Sequence, residues 1–176
     1  MGFTPLEGLI MGTRSGDIDP SIIFYLSKKY SFSLEEIENI LNKKSGILGI
    51  SECSNDMRDL VNLALNGNKK AELAINMFAY KVKKYIGSYY FALDTFKNIV
   101  FTGGIGENNY FVRKVILENL TNIGIKLDYE KNEKIVLGRE GMITKKDSTI
   151  NALVLATDEE LMIARDTKNI ICRNSK

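Results

Sequence analysis

The run Ile99-Val100-Phe101-Thr102-Gly103-Gly104-Ile105-Gly106-Glu107-Asn108 constrains the fold more than any other stretch of the chain. An apolar segment stops at three glycines, and a helix-like segment follows from Asn109 through Asn119. Glycine lacks a Cβ, so it adopts backbone angles closed to other residues and lets a ligand approach the main chain. A strand that ends in such a turn and feeds a helix presents N–H groups to an anion. The alternative is a tight strand-to-helix turn that binds nothing.

The remaining pattern is mixed. Thr4-Pro5 predicts a short helix over Leu6 to Met11, and Asp19-Pro20 opens another with Ile22, Ile23 and Leu26 on one face. Ser33 and Glu36 form a capping box before the stripe Leu34, Ile37, Ile40 and Leu41. Gly46 to Ile50 reads as an apolar turn or short strand. Asp59 to Leu65 reads as a helix stopped by Asn66-Gly67-Asn68. Lys69 to Leu93 is the longest helical pattern, with a kink or close crossing expected at Gly87-Ser88. Short strands are expected at Gly124 to Leu127 and from Thr149 to Ala156, with a last helix opening at Thr157. A mainly helical first half and an alternating second half predict one α/β domain with a helical insertion.

Composition narrows the chemistry. The sequence has 176 residues, room for an ordinary core, and 44% of them are apolar, which argues against disorder. A net charge of +2 offers no broad cationic face for nucleic acid. The longest apolar runs fall far short of a membrane span, and nothing resembles a signal peptide. Cys53 and Cys172 lack metal-ligand spacing and are expected as free thiols of a cytoplasmic protein. There is no histidine at all. Chemistry therefore rests on Arg, Lys, Asp, Glu and backbone amides, which suits charge stabilisation around phosphate better than histidine-activated acyl transfer.

Four clusters could carry that chemistry. The glycine turn is the first; a dinucleotide-binding Rossmann domain is its rival, with Asp128 as ribose ligand, but Asn109 stands where the third glycine should be. The second is Met11-Gly12-Thr13-Arg14-Ser15-Gly16-Asp17, where Arg14 either aims a planar fork at a phosphoryl group or pairs with Asp17 or Asp19. The third is Ser54-Asn55-Asp56-Met57-Arg58-Asp59, which also reads as an elaborate N-cap. In the fourth, Thr157-Asp158-Glu159-Glu160, a Thr157/Glu160 capping box leaves Glu159 free to meet Mg²⁺ through oxygen or water.

Together these segments resemble the acetate kinase family. Phe3 through Pro20 is similar to a signature stretch of that family, and Asn55 to Arg58, Phe101 to Asn108 and Thr157 to Leu161 follow in order. The resemblance implies an α/β fold of the ribonuclease H-like, actin-like ATPase type. It implies reversible phosphoryl transfer between ATP and acetate, giving acetyl phosphate and ADP, with Mg²⁺. It matches Arg14 to the arginine that stabilises the transferring phosphoryl group. Asp56, Met57 and Arg58, and Gly103, Gly104, Ile105, Gly106, Glu107 and Asn108, match nucleotide-binding segments. Glu159 matches the carboxylate associated with Mg²⁺. A cytoplasmic homodimer, binding neither nucleic acid nor membrane, is expected.

The family's other phosphate-handling motifs, carried on an N-terminal domain and including a histidine loop, have no counterpart in this sequence. Residues 1–176 are therefore expected to be a C-terminal nucleotide-binding domain, inactive alone. A propionate or butyrate kinase fragment, or a non-catalytic nucleotide-binding and dimerisation module, is the alternative.

Overall fold

The computed structural model describes residues 2–173, which fall into two compact units. The first unit is the chain through Phe96 together with Phe111–Leu120; the second is Lys97–Tyr110 and the chain from Thr121 onward.

The first unit opens with an irregular segment, and the helix expected over Leu6 to Met11 does not form. Thr4 Oγ1 does accept the Leu6 amide at 3.2 Å. The following backbone groups, however, find distant partners. Gly8 donates to Asp17 Oδ1 at 2.8 Å and accepts from the Asp17 amide at 3.0 Å, while the Met11 carbonyl accepts from Ile47 at 2.9 Å. Groups spent this way are not free for a helical ladder.

Helices α1 (Ser21–Tyr30), α2 (Leu34–Lys43), α3 (Gly46–Ser51), α4 (Met57–Leu65) and α5 (Lys69–Ala92) follow. The α2 capping box is present in both directions, with Glu36 N to Ser33 Oγ at 3.2 Å and Ser33 N to Glu36 Oε2 at 2.7 Å. Helix α3 replaces the turn or strand expected at Gly46 to Ile50. Its first-turn amides, which no helix can satisfy internally, donate from Ile47 to the Met11 carbonyl and from Leu48 to the Gly12 carbonyl. Helix α4 starts earlier than expected because Asp56 caps it, accepting the Arg58 amide at 2.8 Å. Asn68 caps α5 through two amide bonds of 3.0 Å. The helix continues through Gly87, where an added Cβ would meet nothing within 4 Å, so the expected close crossing is absent. Helices α3 and α4 pack on α5 over Ile47, Leu60, Ala71, Ala74, Ile75 and Phe78.

The second unit begins with strand β1 (Asn98–Phe101) and helix α6 (Gly103–Asn108), after which α7 (Tyr110–Leu117) lies mostly in the first unit. Helix α8 (Tyr129–Lys134), strands β2 (Gly141–Met142) and β3 (Asn151–Val154), and helix α9 (Glu159–Arg173) complete it. β3 is central, parallel to β1 with Val100 opposite Leu153, and antiparallel to β2 with Met142 opposite Leu153. Ala152 and Val154 are buried while Asn151 and Leu153 are half-buried, the period-two pattern that turns one strand face to a core. Phe101, Ile125, Ile143 and Ile150 are buried in the same unit.

The strand expected at Gly124 to Leu127 reduces to one bridge, Leu127 to Thr144. Helix α8 was not legible; Asp128 caps it and pairs with Lys131 at 3.0 Å. That role removes Asp128 as a ribose ligand, and with it the Rossmann reading. No described helix is long and apolar enough to cross a membrane.

Candidate functional site

The Arg14 loop is stitched between α2 and α3. Met11 N donates to the Arg14 carbonyl at 3.1 Å, Ser45 N to Thr13 O at 3.0 Å, Ser15 N to Leu41 O at 2.9 Å, and Thr13 Oγ1 to Asn42 O at 2.8 Å. The loop backbone passes directly over Gly46, which has φ +65°; a Cβ there would lie 2.3 Å from the Met11 oxygen and 2.8 Å from the Arg14 oxygen. Half-buried Arg14 borders a shallow groove lined by Glu35, Glu38, Asn39, Asn42 and Lys43. Its guanidinium has no hydrogen-bond or ion-pair partner among the described residues.

The alternative pairing with Asp17 or Asp19 does not occur. Asp17 Oδ2 instead accepts from the Tyr85 hydroxyl at 2.6 Å, a link across 68 positions. That bond, with the Gly8 amide, holds the Asp17 carboxyl below its ordinary range, and it pushes the Tyr85 phenol up to about 12. Asp19 Oδ1 accepts the Ser21 amide at 2.8 Å and helps start α1.

The Asp56 cluster sits beside this loop, since a Cβ at Gly12 would lie 3.1 Å from the Asn55 carbonyl oxygen. The N-cap reading is correct: Ser54 Oγ accepts the Asp56 amide at 3.0 Å and donates to Asp59 at 2.9 Å. Arg58 folds back on Asp56, with Nε 3.1 Å from Oδ1 and Nη2 2.6 Å from Oδ2. The Arg58 fork brings the Asp56 carboxyl down to about 2. The Met57 side chain is buried in the core, which leaves only its main chain for a ligand.

The glycine cluster in the second unit is helical rather than an open turn. Residues Gly103–Asn108 form α6, and extended Thr102 does not cap it. Glu107 reaches back instead. Its Oε1 accepts from Gly103 N at 2.7 Å and from both Thr157 N and Thr157 Oγ1 at 3.0 Å. These donors hold its carboxyl below the ordinary range, the Thr157 amide contributing most. Asn108 Oδ1 accepts the Leu137 amide at 3.0 Å. Gly106 packs on the end of β1, where a Cβ would lie 3.2 Å from the Phe101 carbonyl carbon. Over Gly103 and Gly104 there is open space, so a ligand can approach the main chain there.

Glu107 brings this cluster to the fourth. The expected Thr157/Glu160 capping box is replaced, because both Thr157 donors go to Glu107 and Asp158 Oδ1 caps α9 through the Leu161 amide at 2.9 Å. Exposed Glu159 has no hydrogen-bond or ion-pair partner among the described residues. No three His, Cys, Asp or Glu side chains among the described residues gather to hold a metal. A single carboxylate such as Glu159 nevertheless fits Mg²⁺, which keeps several waters and binds through one or two carboxylates plus substrate phosphates.

Known proteins resemble this chain over nearly its whole length. The model of the Acetokinase family matches residues 1–165. The chain is 58% identical over 172 residues to an acetate kinase of Thermoanaerobacterium thermosaccharolyticum, covering 97% of this chain and 42% of the relative. It is 54% identical over 170 residues to one of Methanosarcina mazei, covering 97% and 41%. Among solved structures, an acetate kinase of Porphyromonas gingivalis superposes with TM-score 0.90 at 43% identity, covering 97% of this chain and 43% of that one. A propionate kinase from Francisella tularensis gives TM-score 0.89 at 48% identity, covering 96% and 42%. The chain thus spans about two fifths of the length of the relatives it matches.

Proposed function

Because the chain belongs to the acetokinase family and has the actin-like ATPase fold of those kinases, we propose that it supplies the nucleotide-binding part of an enzyme that transfers phosphate between ATP and acetate. The observation that carries this reading is the Arg14 guanidinium, unpartnered among the described residues, on a loop tied to its neighbouring segments by several hydrogen bonds.

In the forward direction an acetate oxygen attacks the γ-phosphorus, the bond to the bridging oxygen breaks, and ADP leaves. Charge builds on the equatorial oxygens and the leaving oxygen, so positioning and electrostatics supply most of the acceleration. Arg14 donates its planar fork to the transferring phosphoryl oxygens. Its loop is held rigidly, so little reorganisation accompanies the transition state. The main chain over Gly103–Ile105 and the Asp56–Arg58 segment contribute nucleotide contacts. Glu159 is the residue to hold Mg²⁺, whose chemistry is to neutralise phosphate charge.

The likeness to both an acetate and a propionate kinase supports short carboxylates as the substrate class. A homodimer is the assembly we propose. Exposed Leu73, Met77 and Tyr80 on α5 supply an apolar surface suited to it.

The test is acyl phosphate formation from acetate, propionate and butyrate, by the chain alone and by the chain joined to the portion of the Thermoanaerobacterium relative outside the match. Turnover is expected only in the joined protein, with Arg14→Ala abolishing it and leaving ADP binding within about twofold. Robust turnover by the chain alone, or full turnover with Arg14→Ala, overturns the reading.

A further inference from the structure

We propose that Glu107 is a positioning residue, which locks the α6 glycine segment to the start of α9 so that the open backbone at Gly103–Gly104 and the Glu159 carboxylate form one preset surface. This rests on the nucleotide and Mg²⁺ roles assigned above to those two segments.

One oxygen carries the link. Glu107 Oε1 takes the Gly103 amide, the Thr157 amide and the Thr157 hydroxyl, with Thr102 Oγ1 a fourth donor at 3.4 Å. Thr157 lies 50 positions from Glu107, and bonds to an ionised acceptor are short and strong. Packing cannot do the same work, because none of the α9 side chains from Glu159 through Cys172 is buried. What holds the approach to α9 is a short series of bonds. Leu155 N donates to the Phe101 carbonyl at 3.0 Å, Ala156 N to Glu140 at 2.8 Å, and Thr157 to Glu107. Thr157 is the last of these before Glu159. Helix α6 likewise lacks a cap from Thr102 and uses Glu107 in its place.

A free carboxylate at this spot would repel a nucleotide phosphate. Glu107 has one carboxylate oxygen, Oε1, taken up by protein donors. It therefore sets the distance between metal carboxylate and nucleotide without touching either, as outer-shell groups do around metal ligands.

The test uses the whole chain and two variants, Glu107→Ala and Glu107→Gln. ADP affinity is titrated in EDTA and in millimolar Mg²⁺, and amide hydrogen exchange is followed without nucleotide. For Glu107→Ala, Mg²⁺-dependent tightening of ADP is expected to fall about tenfold, a larger loss than any seen in EDTA. Exchange over Gly103–Gly106 and over Thr157–Leu161 should rise together. Glu107→Gln keeps an acceptor oxygen and should recover most of both effects, which a general loss of stability would not reproduce. Equal weakening with and without Mg²⁺, no change at all, or faster exchange in one segment alone overturns the proposal. Failure of the wild-type chain to bind ADP instead overturns the nucleotide reading, and with it the role but not the link, which the exchange data judge separately.

Discussion

Replacing Gly46 by alanine tests whether close backbone contact holds the Arg14 loop in place. Two costs combine. Gly46 has φ +65°, and left-handed geometry costs an ordinary residue about 1–2 kcal/mol. The new methyl would also lie 2.3 Å from the Met11 oxygen and 2.8 Å from the Arg14 oxygen, both backbone atoms that cannot rotate away. Overpacking of that kind costs about 1–3 kcal/mol, for a total of about 2–5 kcal/mol. Gly67→Ala is the control, since Gly67 has φ +88° but nothing within 4 Å, and it should cost only about 1 kcal/mol. Urea unfolding followed by circular dichroism, with the slope unchanged, reads the difference. In the joined enzyme Gly46→Ala should also lower turnover more than ADP affinity, because it displaces Arg14. Equal destabilisation by the two substitutions would refute the claim that the loop rests on Gly46.

Removing the α2 capping box with Ser33→Ala should cost about 1 kcal/mol in the same unfolding assay. The Asp56 carboxyl, drawn from 3.8 to about 2 by Arg58, stabilises the folded chain at every pH above the unfolded value and loses that contribution as pH falls through the folded one. Thermal midpoints should therefore drop less between pH 4 and pH 2 for Asp56→Asn than for wild type, and the difference should shrink in high salt because the pair is exposed. Tyr85 has the opposite sign: its phenol titrates near 12 instead of 10.0, so the folded chain retains that proton longer and loses stability as pH rises between those values. Ultraviolet titration of the 8 tyrosines should show a late phenolate step that Tyr85→Phe removes.

What could be read from the sequence is what a few neighbouring residues decide. The Ser33/Glu36 box, the helix from Lys69 and the strand within Thr149 to Ala156 are local, and each appears where expected. The errors arise where a distant partner intervenes. Leu6 to Met11 stays irregular because Asp17 and Ile47 take its backbone groups, and Gly46 to Ser51 becomes helical because Met11 and Gly12 carbonyls satisfy its amides. The same logic sorts the candidate site. All four clusters carry charge, and sequence alone could not say which charges the protein consumes. In the folded chain Asp17 is spent on Tyr85 and Gly8, Asp56 on Arg58, and Glu107 on Gly103 and Thr157. Arg14, Glu159 and Glu160 are left without side-chain partners among the described residues. Spent charges build the frame of each cluster, and the roles proposed above for Arg14 and Glu159 rest on side chains that the frame does not use.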